Sequence, residues 1–147
     1  MILKFAEFWN THKPELVVGE YHLFSDQHEY AGTADLIVRL QDKLWLLDIK
    51  TSNSLHTSYD LQLAAYAQAW NETHNEKVER TGILWLKAST RGEGKGDSIQ
   101  GKGWQLKVVD DIDKNFKMFQ NIQEIYKLEN PDFKPMTELL PTSVKLS

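Results

Sequence analysis

Cysteine is missing from this 147-residue chain, and so are long hydrophobic runs and an excess of basic residues. The lack of cysteine excludes disulfides, thiolate metal sites and cysteine nucleophiles. No basic segment followed by a long apolar run opens the sequence, and no stretch approaches the length of a membrane span, so we expect a soluble protein of the cytoplasm. The formal net charge of −4 means that any contact with nucleic acid must be local rather than spread over a basic surface.

The composition is typical of a soluble globular protein, with 41% hydrophobic and 26% charged residues. Its length supports one compact core and is too short for two ordinary domains. We expect a single domain over residues 1–131. Residues 132–147 contain two prolines and no clear period, which predicts an extended tail that is docked on the domain or frayed.

Hydrophobic periodicity predicts an α/β fold with a central mixed sheet, in which an antiparallel meander is joined by further strands and flanked by helices. The predicted strands span residues 16–24, 33–40, 44–50, 82–88 and 104–109. The predicted helices span residues 3–11, residues 59–72, and a last segment from Asp111 or Asp113 to just before Asn130. The second of these helices is expected to lie across the sheet.

Two features of the second half of the chain concern packing. The last helix carries an apolar stripe that we expect to be core, formed by Phe116, Phe119, Ile122 and Tyr126. Residues 91–103 hold five of the eight glycines and predict a mobile loop or a long hairpin tip. Four tryptophans are also assigned to the core: Trp45, Trp70, Trp85 and Trp104.

Two acids and a lysine stand in the apolar strands of the predicted hairpin. Residues two apart in a strand project to the same face, so Asp48 and Lys50 point one way while Ile49 points the other. A turn of two residues, 42–43, or of four residues, 41–44, would place Asp35 opposite Lys50. All three polar groups would then share one face.

The same register fixes the opposite face of the hairpin. Leu40 then pairs with Trp45, and leucine, valine and isoleucine side chains line a wholly apolar surface that is expected to face the core. A three-residue turn without a bulge would shift the pairing by one residue and send Asp35 away from Asp48. The hydrophobic pattern favours the register that brings the two acids together.

Two carboxylates this close repel each other and are costly to desolvate, and a bound cation removes both problems. Hard oxygen ligands suit Mg²⁺, with Mn²⁺ able to substitute, and such a metal polarises a phosphate and activates a water. The alternative is that Asp35 and Asp48 merely pair with Lys50 or with Arg39 at a sheet edge. Against that alternative stands the following helix, where Gln62 and Tyr66 lie four residues apart on one face.

The segments Tyr30-Ala-Gly-Thr-Ala-Asp, Asp48-Ile-Lys-Thr-Ser and Gln62-Leu-Ala-Ala-Tyr resemble the RecB-like and phage-exonuclease branch of the PD-(D/E)XK nuclease superfamily. The resemblance covers residues 15–70 and implies a restriction-endonuclease-like fold. It implies that Asp35 and Asp48 bind metal together with the Ile49 carbonyl, and that Lys50 is the catalytic lysine. It also implies that Gln62 and Tyr66 border the DNA.

The chain departs from that family near its N-terminus. Members usually have a helix before the first strand that supplies a His or Glu to the metal, whereas fewer than twenty residues precede the strand here. Glu7 and His12 are candidate remnants of that helix. Glu20 is a candidate third carboxylate beside Asp35, and an exposed strand residue is the alternative for it.

Other candidate contacts with DNA lie outside the three segments. Thr51 follows the catalytic lysine directly, and Arg91 stands with Lys95 and Lys102 among the glycines of residues 91–103, where they could wrap a phosphate backbone. A plain flexible hairpin tip is the alternative for this loop. His56, close after the lysine strand, is near enough to the site to be of interest, and the spacing of the five histidines predicts no zinc site.

Taken with the resemblance, these residues predict a magnesium-dependent DNA nuclease that acts in the cytoplasm of a bacterium or a phage-infected cell. An exonuclease of DNA recombination or repair is favoured over a restriction enzyme. The first alternative is a catalytically incomplete module of the same fold that binds DNA or a partner protein. A structural or assembly protein, which would bind neither metal nor DNA, requires the acids to be coincidental.

Overall fold

The computed structural model describes residues 2–96 and 98–131. Within them the elements follow one another as α1 (Ile2–His12), β1 (Glu15–Ser25), β2 (Tyr30–Leu40), β3 (Lys43–Lys50), α2 (Thr57–Thr73), β4 (Arg80–Trp85), β5 (Ile99–Gly101), β6 (Trp104–Val109) and α3 (Ile112–Glu129). Each helix and strand predicted from periodicity is present, and β5 is an addition. The predicted tail, residues 132–147, lies outside the described residues, so the division of the chain at residue 131 stays a prediction.

The six strands form one mixed sheet in the order β1-β2-β3-β4-β6-β5. Neighbouring strands are antiparallel except β3 and β4, which are parallel and are connected through α2. A parallel pair needs such a crossover because its strands run the same way. The antiparallel meander, the mixed sheet and the flanking helices expected from the sequence are therefore confirmed.

Both faces of the sheet are buried against helices. The larger core lies between the sheet and the helices α2 and α3, with Ile37, Leu46, Leu63, Ala67 and Ile83 among its buried members. The smaller core lies on the other face under α1, with Phe8, Val38, Trp45, Leu84 and Trp104 among its buried members. The hairpin therefore has no single core side: the face expected to be apolar packs under α1, and the face that carries the acids packs under α2.

The turn between β2 and β3 corrects the predicted register. Leu40 pairs with Lys43 and Val38 with Trp45, so the two-residue turn is formed by Gln41 and Asp42 rather than by residues 42–43. Both turn residues have positive φ, 54° and 61°, as the tight hairpin turn that matches strand twist requires. A shift by two residues keeps every side chain on its face, so the predicted clustering survives the error.

The side-chain alternation of β2 is interrupted close to Asp35. Ala34 and Ile37 pack in the larger core, whereas Leu36 and Val38 belong to the smaller one. Regular alternation would place Ala34 and Leu36 on the same face of the sheet, but they lie on opposite faces. Across from this point in β1, Glu20 has a positive φ of 44°. Asp35 stands at this irregularity, and its side chain reaches β3, where it accepts a hydrogen bond from the Ile49 N–H.

Three other expectations need correction. The predicted loop of residues 91–103 contains β5, which pairs with β6. The fourth strand begins and ends earlier than predicted, because its register with β3 starts at Arg80. Asp111 precedes α3 without a side-chain cap.

The apolar stripe of α3 is core only in its first half. Phe116 is buried and Phe119 packs against the larger core, whereas Ile122 and Tyr126 are 54% and 51% exposed. The second half of the helix runs beside the β1–β2 turn instead, where the Gln123 side chain donates a hydrogen bond to the His28 carbonyl. Of the helices in the described part of the chain, none has the length and apolar character that crossing a bilayer requires.

Candidate active site

The ion pair at the end of β3 is the centre of the site. Asp48 is 7% exposed, and its Oδ2 lies 2.9 Å from the Nζ atom of Lys50. Both side chains point to the α2 face because they stand two residues apart in one strand. The strand therefore delivers a buried acid and a partly exposed ammonium group side by side, as the sequence predicted.

Asp35 joins this pair from β2. The register places it opposite Asp48, one step beyond the paired residues Leu36 and Leu47. Its Oδ2 accepts a hydrogen bond of 2.8 Å from the backbone N–H of Ile49. Two carboxyl groups and one ammonium group thus converge where β2 and β3 separate.

The protonation of Asp35 reflects this crowding. Burial raises the pKa of Asp35 to about 7, and the adjacent carboxyl group of Asp48 contributes to the rise. The hydrogen bond from Ile49 and the charge of Lys50 act in the opposite direction. A carboxyl group that holds a proton near neutrality is one that a cation can stabilise in its ionised form, because the cation replaces the proton.

The oxygens of this cluster also suit a hard divalent cation. Oδ2 of Asp48 is buried and lies near Nζ of Lys50, but outside the direction of a hydrogen bond, so it has an ionic neighbour and no hydrogen-bond donor. Carboxylate oxygens are the ligands that Mg²⁺ and Mn²⁺ prefer. Asp35 and Asp48 would hold such an ion, although within the described residues no group of three His, Asp or Glu side chains is arranged for one.

Tyr66 on α2 forms one wall of the cluster. Burial raises the pKa of Tyr66, and the carboxylates of Asp48 and Asp35 raise it further, so its hydroxyl stays protonated beside the acids. Hydrogen bonds that involve the Thr33 backbone and the Gln62 side chain act in the opposite direction. Of the two helix residues predicted to border the substrate, Tyr66 is half-buried beside the acids, and Gln62 is exposed and adjoins Tyr66.

Gly32 makes the position of Tyr66 possible. A Cβ atom on Gly32 would lie 2.1 Å from Cε1 of the Tyr66 ring and 2.7 Å from Cζ, far inside any contact distance. The ring occupies the space that a side chain on β2 would fill. Sequence reasoning used this glycine only as the start of a strand and missed its part in the site.

Tyr59 is a second residue that the sequence did not reveal. The Nζ atom of Lys50 lies 4.2 Å from the centroid of the Tyr59 ring, within the range of a cation–π interaction. Tyr59 itself makes an edge contact with His56, the residue just before α2, at a centroid distance of 5.4 Å. The available signal was an aromatic residue in the first turn of the helix that follows the lysine.

The candidate third ligands are placed differently. Glu20 is exposed and does not complete a metal-binding group with the two aspartates. Glu7 and His12 belong to α1, where the His12 ring packs on Trp104 of β6 and a Glu7 carboxylate oxygen lies beside Gly101 of β5. The helix remnants proposed for the metal site therefore stand against the far strands of the sheet, because α1 covers the opposite face.

The remaining candidates lie at the surface. Thr51 is exposed immediately after β3, and Arg91 is exposed in the connection that leads to β5 at the sheet edge. The alternative partner for the acids, Arg39, instead makes ion pairs with Glu76 and Glu15. Lys50 therefore remains the cation beside Asp48.

A mixed sheet with a meander, crossed by a helix and carrying two acids and a lysine where β2 and β3 separate, matches the restriction-endonuclease-like fold. A model of the PD-(D/E)XK nuclease superfamily matches residues 4–138 of the chain. The chain belongs to the PD-(D/E)XK nuclease superfamily. A search of curated proteins finds no significant match to it.

Proposed function

We propose that this chain is a magnesium-dependent DNA nuclease that hydrolyses phosphodiester bonds, with manganese able to replace magnesium. The observation that carries the proposal is the convergence of Asp35, Asp48 and Lys50, whose ammonium nitrogen lies 2.9 Å from the Asp48 carboxylate. Superfamily membership supports hydrolysis of a nucleic acid as the reaction class. The net charge of −4 is compatible with DNA because the contact is local.

Each site residue has a part in this proposal. Asp35 and Asp48 would hold the cation, with the Ile49 carbonyl as a further ligand, whereas the exposed Glu20 does not complete a metal-binding group with them among the described residues. A cation held there would polarise the scissile phosphate and lower the pKa of a water. Lys50 orients that water or stabilises charge on the phosphate oxygens.

Substrate contacts surround these groups. Gln62 and Tyr66 border the DNA from α2, where Gln62 is exposed and Tyr66 lies beside the acids. Thr51 and Arg91, both exposed, are further contacts to the phosphate backbone. The resemblance of the three site segments supports a RecB-like or phage-type exonuclease that acts in phage or bacterial DNA recombination or repair.

Cleavage assays test the proposal. In Mg²⁺ the protein should degrade linear DNA and spare closed circular DNA of the same sequence, because an exonuclease needs an end. Asp48→Ala and Lys50→Ala should each reduce the rate by about a hundredfold or more, while exposed controls, Asp26→Ala and Lys107→Ala, keep it. Circular dichroism and thermal unfolding of every variant show whether the fold is intact.

Two results would contradict the proposal. Unchanged cleavage by Asp48→Ala or Lys50→Ala would show that the acids and lysine are not the catalytic groups. Rapid cutting of closed circular DNA would support a nuclease but would contradict the proposal that it is an exonuclease that needs a DNA end.

A second candidate is a catalytically incomplete member of the fold that binds DNA or a partner protein. It is favoured by one observation, that no third acid or histidine stands with Asp35 and Asp48 among the described residues. Calorimetric titration with Mn²⁺ separates the two candidates: an enzyme should bind the ion with an affinity that Asp48→Asn abolishes, whereas an inactive scaffold has no need of a tight metal site. DNA binding without cleavage, together with no heat of Mn²⁺ binding, would establish the second candidate.

A further inference from the structure

We propose that Tyr59 is the positioning residue of Lys50, a role that rests on the proposed nuclease function of the site. The face of the Tyr59 ring holds the ammonium group where it must stand to act on a phosphate. Tyr59 lies outside the three segments that carry the family resemblance.

The geometry defines a clamp with two sides. On one side Nζ of Lys50 stands 2.9 Å from the Asp48 carboxylate, and on the other it stands 4.2 Å from the centroid of the Tyr59 ring. The lysine side chain is 24% exposed, so the clamp leaves one direction open to the solvent and to a substrate. The electron-rich face of an aromatic ring attracts an ammonium group most strongly when water is largely excluded.

Tyr59 is itself held in place by its surroundings. It lies in the first turn of α2 and packs partly against the larger core. The His56 ring meets it edge to face at an interplanar angle of 76°. The backbone beneath the lysine is fixed as well, because the Lys50 carbonyl accepts a hydrogen bond of 2.9 Å from the Leu86 N–H.

The Asp48 carboxylate and the Tyr59 ring, which form the two sides of the clamp, differ in whether they also suit a metal cation. The Asp48 carboxylate is also one of the two groups suited to a cation, and a cation there competes with the ammonium group for the same negative charge. The Tyr59 ring carries no negative charge for which a cation would compete. It is therefore a contact that can keep Lys50 in position independently of what the carboxylate binds.

The proposed role belongs to the ring face and not to the hydroxyl group. Tyr59→Phe preserves the aromatic face and the packing, and should behave as the native protein. Tyr59→Leu keeps an apolar side chain that can still pack against the core, but it has no π-electrons to attract the ammonium group. The pair of variants therefore separates cation–π positioning from a general packing role.

The first readout uses the metal-free protein and needs no activity. Lys50 is labelled with a water-soluble acylating reagent, and the rate is followed by mass spectrometry of its peptide against Lys107, an exposed lysine on β6. In Tyr59→Leu the rate at Lys50 should rise by about threefold to thirtyfold relative to Lys107. Tyr59→Phe should leave the ratio unchanged.

The second readout is steady-state cleavage of DNA at a temperature at which both variants are folded. Tyr59→Leu should lower kcat by a similar factor with little change in KM, because the lysine is misplaced while the DNA contacts of Gln62 and Tyr66 remain. Tyr59→Phe should restore kcat.

The outcomes are distinct. An unchanged labelling ratio in a folded Tyr59→Leu protein, or a loss in Tyr59→Phe as large as in Tyr59→Leu, would overturn the role given to the ring face. If the native protein cuts no DNA, the nuclease proposal fails, yet the labelling ratio still decides whether Tyr59 holds Lys50. A changed ratio with normal kcat in Tyr59→Leu would show that the contact exists but does not position a catalytic group, which also overturns the proposal.

Discussion

Single residues decide how much room the site has. Gly32 and Tyr66 form a matched pair, because the tyrosine ring fills the volume that any side chain at position 32 would need. Gly19 offers a contrast on the neighbouring strand, since the nearest atom to a Cβ placed there is 3.8 Å away. The two glycines look alike in sequence, but only Gly32 is required by a neighbouring side chain.

Gly32→Ala should therefore displace the Tyr66 ring and disturb the acids beside it. We expect a loss of about 1–3 kcal/mol in the free energy of unfolding, the usual cost of an overpacked core, together with reduced DNA cleavage. Gly19→Ala, the matched control, should leave both unchanged within error. Urea unfolding and the cleavage assay measure the two effects.

A double-mutant cycle isolates the pair. With Tyr66→Leu already in place, the extra methyl group of Gly32→Ala has room, so its cost in stability should shrink. Additive costs in the double variant would show that the clash lies elsewhere.

At the scale of elements, the β2–β3 hairpin sets the register of the site. Its turn is formed by Gln41 and Asp42, both with positive φ, a conformation that Asn and Gly adopt more readily than Gln and Asp. The sequence placed the turn one residue later, since the dipeptide at positions 41 and 42 carries no strong turn signal. The error left the predicted site intact because a register shift of two residues keeps each side chain on the same face of the sheet.

Replacing the turn by Gln41→Asn with Asp42→Gly should stabilise the protein by about 0.5–1 kcal/mol, because the new residues suit the backbone. Gln41→Val, with a branched side chain at positive φ, should destabilise it. Thermal and urea unfolding measure both changes. Destabilisation by the Asn-Gly turn would contradict the turn geometry.

For the whole molecule, the cluster of acids opposes folding when no cation is bound. The pKa of Asp35 is raised from 3.8 to about 7, so between these values the folded state holds a proton that the unfolded chain releases. The contribution of Asp35 to the free energy of unfolding therefore falls as the pH rises from about 4 to about 7 and changes no further above that. A cation that replaces the proton should reverse the loss.

Asp35→Asn should remove this contribution, so its stability relative to the native protein should increase with pH over the same interval. Asp26→Asn, an exposed acid in the β1–β2 turn, serves as the control and should follow the native curve. Saturating Mn²⁺ should stabilise the native protein more at pH 7.5 than at pH 5.5, and Asp48→Asn should abolish the effect. Parallel pH curves for the native protein and Asp35→Asn, measured by urea unfolding, would contradict the assignment of the raised pKa.

The sequence by itself determined the three helices and, except for β5, the strands of the described residues. It also determined the shared face of Asp48 and Lys50 and the parity that brings Asp35 to them, because these follow from periods of two and near four along the chain. Tertiary structure decided everything that depends on distant residues meeting. It placed Tyr66 over Gly32 and Tyr59 over Lys50, and it packed Glu7 and His12 under the opposite face of the sheet. No local pattern encodes those contacts, since they arise only when the helices dock on the two sides of the sheet.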